Sequence, residues 1–177
     1  MIPWFFGYGS LVNRATHDYP SAQPAQLRGW RREWVRTDLR DVVFLSVRPD
    51  PGTTIDGLVA QVPGADWSAL DLRETGYDRI PAQDAVDHDA RPMAFYRVPE
   101  TRQKTGGDHT ILLSYLDVVV QGFVREFGQA GAEAFFDTTD GWDTPVRDDR
   151  AAPLYPRAQQ LSAQERALTD RLLAQVQ

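Results

Sequence analysis

Two groups of residues in this 177-residue chain have types and spacings suited to chemistry, and the first lies almost at its start. Gly7-Tyr8-Gly9-Ser10-Leu11 follows the aromatic run Trp4-Phe5-Phe6. A Gly-x-Gly turn after a strand can direct successive backbone N–H groups into one concavity that holds an anionic or carbonyl oxygen. The alternative is that the glycines only let the strand end pass close to a helix. The motif alone does not decide between the two.

The second group centres on a glutamate in a predicted short helix. Trp67, Leu70, Asp71 and Glu74 are spaced at i, i+3, i+4 and i+7, so they share one helix face. If that face is buried, desolvation raises the pKa of the Glu74 carboxyl toward the range in which a general base works best. The alternative is a solvated Glu74 with Leu72 facing inward.

Several other kinds of site are disfavoured. There is no third glycine at the dinucleotide spacing and no Gly-Lys-Ser/Thr after the loop, which argues against phosphate binding. The 19 Lys and Arg against 25 Asp and Glu give a net charge of −6, so we expect no nucleic-acid partner. His17, His88 and His109 lack metal-ligand spacing and the chain has no cysteine, so we expect no metal site. Ser10 has no identifiable His partner for serine-hydrolase chemistry.

The elements that must position these residues are mostly strands in the first half and helices in the second. A helix is predicted from an N-cap at Asp66 to about Thr75, a heavily apolar one over 110–127, and an amphipathic one over 162–176. This order predicts an α+β fold with a small mixed β-barrel of about five to six strands flanked by helices. The strands are predicted near 3–8, 27–36, 42–47, 55–62, 78–86 and 92–98.

The domain organisation is predicted to be simple. With no repeat or charged tail, residues 1–177 are expected to form one domain. Residues 138–160 are rich in Pro, Asp and Arg without a period, so they form either a lid or a surface wrap. Without a basic leader or a long apolar segment, we expect a cytoplasmic protein with no membrane contact. Tyr115, on the apolar side of the long helix, either presents its hydroxyl to a ligand or packs in the core.

The ordered set of motifs resembles the gamma-glutamylcyclotransferase superfamily, including its ChaC-type members. The resemblance runs over about residues 4 to 125 and rests on the order of its motifs, since Gly-Tyr-Gly-Ser-Leu alone is moderate evidence. It is carried by Phe6-Gly7-Tyr8-Gly9-Ser10-Leu11, Gly29-Trp30-Arg31-Arg32, Gly57-Leu58-Val59, the stretch from Leu70 to Arg79, and Ser114-Tyr115-Leu116.

The resemblance implies a small mixed α+β barrel and a 5-oxoproline-forming, lyase-type activity. In that family the glycine-containing loop holds the substrate's gamma-glutamyl group largely through backbone groups. This loop corresponds to Gly7, Tyr8, Gly9, Ser10 and Leu11. The catalytic glutamate falls on Glu74 and a substrate-contacting tyrosine on Tyr115. The implied partner is a small gamma-glutamyl amine, amino acid or peptide, and no cofactor is required.

Two departures from the family pattern leave the leaving group open. Asn13 stands where ChaC-type proteins usually have a tryptophan, so glutathione specificity is not carried over. The C-terminal tail resembles that of bacterial family members, and this resemblance does not indicate a substrate. Two other functions remain as alternatives: a non-catalytic gamma-glutamyl or carboxylate binding module, and a hydrolase or acyltransferase that uses the same pocket. The sequence does not give the oligomeric state.

Overall fold

The computed structural model describes residues 2–82 and 84–177, so Met1 and Gln83 lie outside the described residues. The predicted α+β class is confirmed, and the main sheet curls into a half-barrel flanked by helices. In chain order the elements are β1 (Trp4–Gly7), β2 (Gln23–Thr37), β3 (Phe44–Gln61), α1 (Ser68–Arg73), β4 (Asp78–Pro81), β5 (Met93–Arg97), β6 (Gln103–Lys104), β7 (Ile111–Leu112), α2 (Leu113–Asp137), β8 (Thr139–Asp140), β9 (Val146–Arg147) and α3 (Ala163–Val176).

The long hairpin β2-β3 is the frame of the main sheet. Its strands are antiparallel, with Gln23 opposite Val59 at one end and Val35 opposite Phe44 at the other. The main sheet has the order β4-β5-β1-β3-β2-β6, with β8 beside β2, while β7 and β9 form a separate pair. Strand β1 is antiparallel to β3 and parallel to β5. Because β1 is paired on both sides, the loop that follows it starts from a fixed position.

Helix α2 packs its first turns into the core. Leu116, Val119 and Phe123 are fully buried in the main apolar cluster, which confirms the predicted apolar helix. A Cβ on Gly122 would lie 2.7 Å from the backbone nitrogen of Asn13. A side chain at Gly122 would therefore displace the segment that follows the Gly7–Leu11 loop.

Two predicted boundaries in the first half differ from the structure. The strands predicted at 42–47 and 55–62 form the one strand β3, because residues 50–53 are extra residues in the β2-β3 pairing and do not end the strand. They lie opposite the one β2 residue Gly29, which has a φ of +79°. The strand predicted at 78–86 ends at Pro81.

The helix boundaries also differ in part. Helix α1 covers Ser68–Arg73 only, with Glu74 as its C-cap. Helix α2 continues past residue 127 to Asp137 through a break at Gly128, whose φ is +70°, and this break interrupted the apolar period in the sequence. The C-terminal helix begins as predicted after Ser162, which forms a capping box with Glu165. No helix among the described residues is both long and apolar enough to span a membrane.

Candidate active site

The Gly7–Leu11 loop turns tightly at the end of β1. Its first internal hydrogen bond runs from the Val12 N–H to the Gly9 carbonyl, at 3.0 Å. The N–H groups that precede Val12 in this 3₁₀ turn therefore have no partner within the turn, as in the first turn of any helix. A Cβ on Gly9 would lie 2.7 Å from the Tyr115 hydroxyl oxygen. Glycine at this position is what allows the tyrosine to approach the loop backbone.

Buried polar contacts fix the loop from behind. Arg32 is fully buried, and its Nε donates to the Tyr8 carbonyl at 2.8 Å. The Arg32 guanidinium also lies over the rings of Phe123 and Phe135, with its Cζ 4.9 and 5.0 Å from the ring centroids. The Tyr8 hydroxyl donates to the Tyr96 carbonyl at 2.6 Å. The Tyr8 hydroxyl therefore already has a backbone acceptor in the protein interior.

Glu74 sits where helix α1 ends, and its side chain is only 17% exposed. The helix face that carries Leu70 and Glu74 points inward, whereas Leu72 is 77% exposed. The alternative with Leu72 facing inward is therefore wrong. Burial raises the pKa of the Glu74 carboxyl, and the charges of Arg73 and Arg157 reduce that rise. The carboxylate is thus more basic than it would be in water.

Arg73 connects the glutamate to the loop. Its Nε lies 3.4 Å from Glu74 Oε1. Its terminal nitrogens donate to the Thr16 carbonyl at 3.0 Å and to Ser10 Oγ at 3.3 Å. Because its side chain is only 5% exposed, the guanidinium has little freedom to leave this position. The orientation of Glu74 relative to the loop is therefore constrained.

Five tyrosines border the site: Tyr8, Tyr77, Tyr96, Tyr115 and Tyr155. Tyr115 packs edge-on against Tyr155, with ring centroids 5.0 Å apart. Burial raises the pKa of Tyr115 far above its ordinary value, and the charge of Glu74 acts in the same direction. The Tyr77 hydroxyl donates to the Leu45 carbonyl at 2.9 Å, so it is already committed to a backbone acceptor. The phenol of Tyr115 therefore stays protonated and can donate a hydrogen bond.

All the predicted site residues border one small cavity of about 30 Å³, which is lined in part by Gly7, Tyr8, Gly9, Ser10, Leu11, Glu74 and Tyr115. This cavity shares Ser10, Glu74 and Tyr115 with a larger cleft of about 400 Å³. That volume is within the range of about 300–1,000 Å³ that is usual for small-molecule sites. The loop and the glutamate therefore face the same space.

The cleft also contains residues to which the sequence interpretation gave no individual role. Arg40 and Arg73 line it, as do Tyr155 and Arg157 from residues 148–157, which we call the strap. The sequence predicted only that residues 138–160, which include the strap, form a lid or a surface wrap. Asn13 is absent from the described lining of both cavities; it is fully buried and its side chain donates to the Val118 carbonyl at 2.9 Å.

Comparison with known proteins adds the family. Residues 3–105 match the family described as ChaC-like protein. The chain belongs to the ChaC-like family. The resemblance to the gamma-glutamylcyclotransferase superfamily is thereby confirmed. The matched range contains the Gly7–Leu11 loop and Glu74, and it ends before Tyr115 and the strap.

Solved structures similar to this ChaC-like chain support the fold. A structure named gamma-glutamyl cyclotransferase has a TM-score of 0.56 at 13% identity, covering 97% of this chain and 99% of that one. YkqA from Bacillus subtilis has a TM-score of 0.58 at 18% identity, covering 79% of this chain and 56% of that one. The uncharacterized protein loc79017 from Homo sapiens has a TM-score of 0.55 at 14% identity, covering 94% and 97%. No curated protein matches the sequence.

Proposed function

We propose that this ChaC-like protein is a gamma-glutamylcyclotransferase that converts a gamma-glutamyl amine, amino acid or peptide to 5-oxoproline and the free amine. The observation that carries the proposal is that the Gly7–Leu11 loop and the Glu74 carboxyl line the same cavity. Family membership and the fold shared with a structure named gamma-glutamyl cyclotransferase support it. The Gly7–Leu11 loop and Glu74 are the regions to which the family resemblance assigns binding and catalysis.

The reaction is an intramolecular aminolysis. The substrate's alpha-amine attacks its own gamma-carbonyl carbon, a new C–N bond closes a five-membered lactam, and the C–N bond to the leaving amine breaks. Because both reacting groups belong to one molecule, the enzyme's main task is to hold a bent conformer in which they meet. The loop N–H groups that lack partners within the turn are suited to bind the gamma-carbonyl oxygen as it becomes negative.

Glu74 is proposed as the group that moves the proton. It accepts a proton from the attacking nitrogen and returns it to the departing nitrogen, so no water and no covalent enzyme intermediate are needed. Its raised pKa makes it a better proton acceptor than an ordinary glutamate, provided that the pH keeps it ionised. The Tyr115 phenol, which stays protonated and lines the cleft, is proposed to donate a hydrogen bond to bound substrate.

The test is to incubate the pure protein with several gamma-glutamyl compounds and measure 5-oxoproline. We expect product from the native protein and a loss of about 10²- to 10⁴-fold in kcat/KM for Glu74→Gln. The matched control is Glu133→Gln, which removes a carboxylate from an exposed position on α2 and should leave the rate unchanged. Circular dichroism of both variants establishes that they are folded.

The pH profile gives a second, independent measurement. Because Glu74 must be ionised to accept a proton, kcat/KM should fall with decreasing pH. The midpoint of that limb should lie above the ordinary glutamate value of about 4.3, since burial raises the pKa of Glu74. Full activity in Glu74→Gln would contradict the assignment of Glu74. Release of free glutamate would favour a hydrolase, and binding without any product would favour a binding module.

A further inference from the structure

The larger cleft extends beyond the residues to which the proposed function gives a role. The inner residues that border both cavities are Ser10, Leu45, Glu74, Tyr77 and Tyr115. The residues that line only the larger cleft include a group of apolar side chains and three arginines: Val42, Val43, Phe44, Leu72, Leu154, Arg40, Arg73 and Arg157. A substrate whose gamma-carbonyl lies at the loop and Glu74 can direct its leaving amine toward these residues, which we call the outer part of the cleft.

Large apolar side chains are exposed at the mouth of the cleft. Leu72 is 77% exposed and Leu154 is 51% exposed, and both line the cleft. Leu39, 43% exposed, lies near Gly76, with its Cδ1 2.7 Å from the position of an added Cβ, and the adjacent Thr75 lines the cleft. Among the described residues, the one other exposed large apolar side chain is Ile2. Exposed apolar groups concentrated around a single cleft indicate a ligand with an apolar part.

Arg40 supplies a positive charge at the same place. In residues 2–82 and 84–177 it forms no ion pair with a carboxylate. Of the other two cleft arginines, Arg73 contacts Glu74 and Ser10, and the positive charge of Arg157 lowers the pKa of Glu74. A guanidinium without a partner beside an apolar wall is suited to a carboxylate on a ligand that also has an apolar side chain.

We propose that the outer cleft is a leaving-group subsite for an alpha-amino acid or short peptide with a large apolar first side chain, whose carboxylate pairs with Arg40. This inference rests on the proposed function and names its substrate class. A gamma-glutamyl-leucine type of substrate would cover Leu72 and Leu154. A leaving group with a small side chain, such as that of glutathione, would leave them in water.

The first experiment measures binding without turnover. Calorimetry on Glu74→Gln compares gamma-glutamyl-leucine, gamma-glutamyl-glycine and gamma-glutamyl-leucinamide. We expect the leucine compound to bind about 10- to 100-fold more tightly than the glycine compound, because a leucine side chain is buried. The amide, which lacks the carboxylate, should bind about 10-fold more weakly than the acid. When Arg40→Gln is combined with Glu74→Gln, the acid and the amide should bind with the same affinity.

Substitutions outside the cleft are the controls for those within it. Arg102→Gln removes an exposed arginine outside the cleft and should keep the acid-over-amide difference. Leu72→Ser should reduce the leucine-over-glycine preference, whereas Ile2→Ser, at an exposed position away from the cleft, should keep it. In the native background, Arg40→Gln should raise KM for gamma-glutamyl-leucine with little change in kcat.

The outcomes distinguish the subsite from the proposed function. If the native protein forms 5-oxoproline but binds the leucine and glycine compounds equally, the subsite is overturned and the cyclotransferase stands. If no compound yields 5-oxoproline, the cyclotransferase is overturned, while a leucine preference that depends on Leu72 and an acid preference that depends on Arg40 still support the subsite. An unchanged acid preference in Arg40→Gln overturns the assignment of that residue.

Discussion

The Gly7–Leu11 loop and the strap meet at the same cleft, but they are built in opposite ways. The loop follows a strand that is paired on both sides, and its useful groups are backbone N–H groups. The strap lies outside the main sheet, and it contributes the side chains of Tyr155 and Arg157. The loop depends on positions that have no side chain, whereas the strap depends on the side chains that it contributes to the cleft.

The strap is anchored to the beginning of helix α2 by a buried carboxylate. Asp149 accepts hydrogen bonds from the Ser114 N–H at 2.8 Å, from the Ser114 hydroxyl at 2.6 Å and from the Leu154 N–H at 2.8 Å. Arg150 makes a paired contact with Asp117, whose side chain is 1% exposed, at 2.7 and 2.8 Å. Because Ser114 precedes Tyr115, these contacts hold the strap and the site tyrosine in one unit. That residues 138–160 act as a lid stays a prediction.

The loop should be more sensitive than the strap to the smallest possible change. In Gly9→Ala the added methyl would lie 2.7 Å from the Tyr115 hydroxyl oxygen and 3.0 Å from Leu45 Cδ2. The tyrosine or the loop must therefore move. We expect a fall of about 10²- to 10³-fold in kcat/KM for 5-oxoproline formation, the effect usual for a lost oxyanion donor.

A second glycine provides the control for that comparison. Gly52, in β3, has no atom closer than 3.9 Å to the position of an added Cβ. Gly52→Ala should therefore leave the rate unchanged. If Gly9→Ala kept native activity while remaining folded, the close approach of Tyr115 to the loop would have no part in the reaction.

A substitution in the strap should reduce the stability of the protein more than its catalytic rate. Asp149→Asn replaces one acceptor oxygen with a donor, so at least one of the Ser114 and Leu154 contacts is lost. We expect the free energy of unfolding to fall by about 1–3 kcal/mol, with a smaller effect on kcat than on KM. Denaturant unfolding and steady-state kinetics measure the two effects. Asp143→Asn, at an exposed position, is the matched control.

The same contrast explains what could be predicted from the sequence. A loop that works through its backbone requires glycine at defined positions, so Gly7 and Gly9 are visible in the sequence, and helical spacing placed Glu74 beside Leu70. The strap has no period, and its partners are distant in the chain: Asp149 bonds Ser114, which is 35 residues away. Pairings of this kind depend on how the chain packs. For the same reason the sequence did not indicate that Arg32 supports Tyr8.

The two regions should also respond oppositely to acid, and this is the smallest expected effect. Burial acts to raise the pKa of Asp149, but its hydrogen bonds from Ser114 and Leu154 outweigh burial and hold that pKa below the ordinary value. Its contribution to stability is therefore present above the unfolded-state pKa and is lost as the pH falls through the folded-state pKa. The pKa of Glu74 is raised instead, so its ionised form destabilises the fold once the pH exceeds the unfolded-state value.

Thermal unfolding of both variants between pH 4 and pH 8 tests this difference. Glu74→Gln should raise Tm at pH 7 by a few degrees, since about 1 kcal/mol changes Tm by about 2–4 °C in a domain of this size. That gain should shrink as the pH falls and native Glu74 becomes protonated. The loss caused by Asp149→Asn should be largest near neutral pH and decrease only at the acid end. If Glu74→Gln lowered Tm at pH 7, the carboxylate would be stabilised where it lies, and a base made stronger by burial would be ruled out.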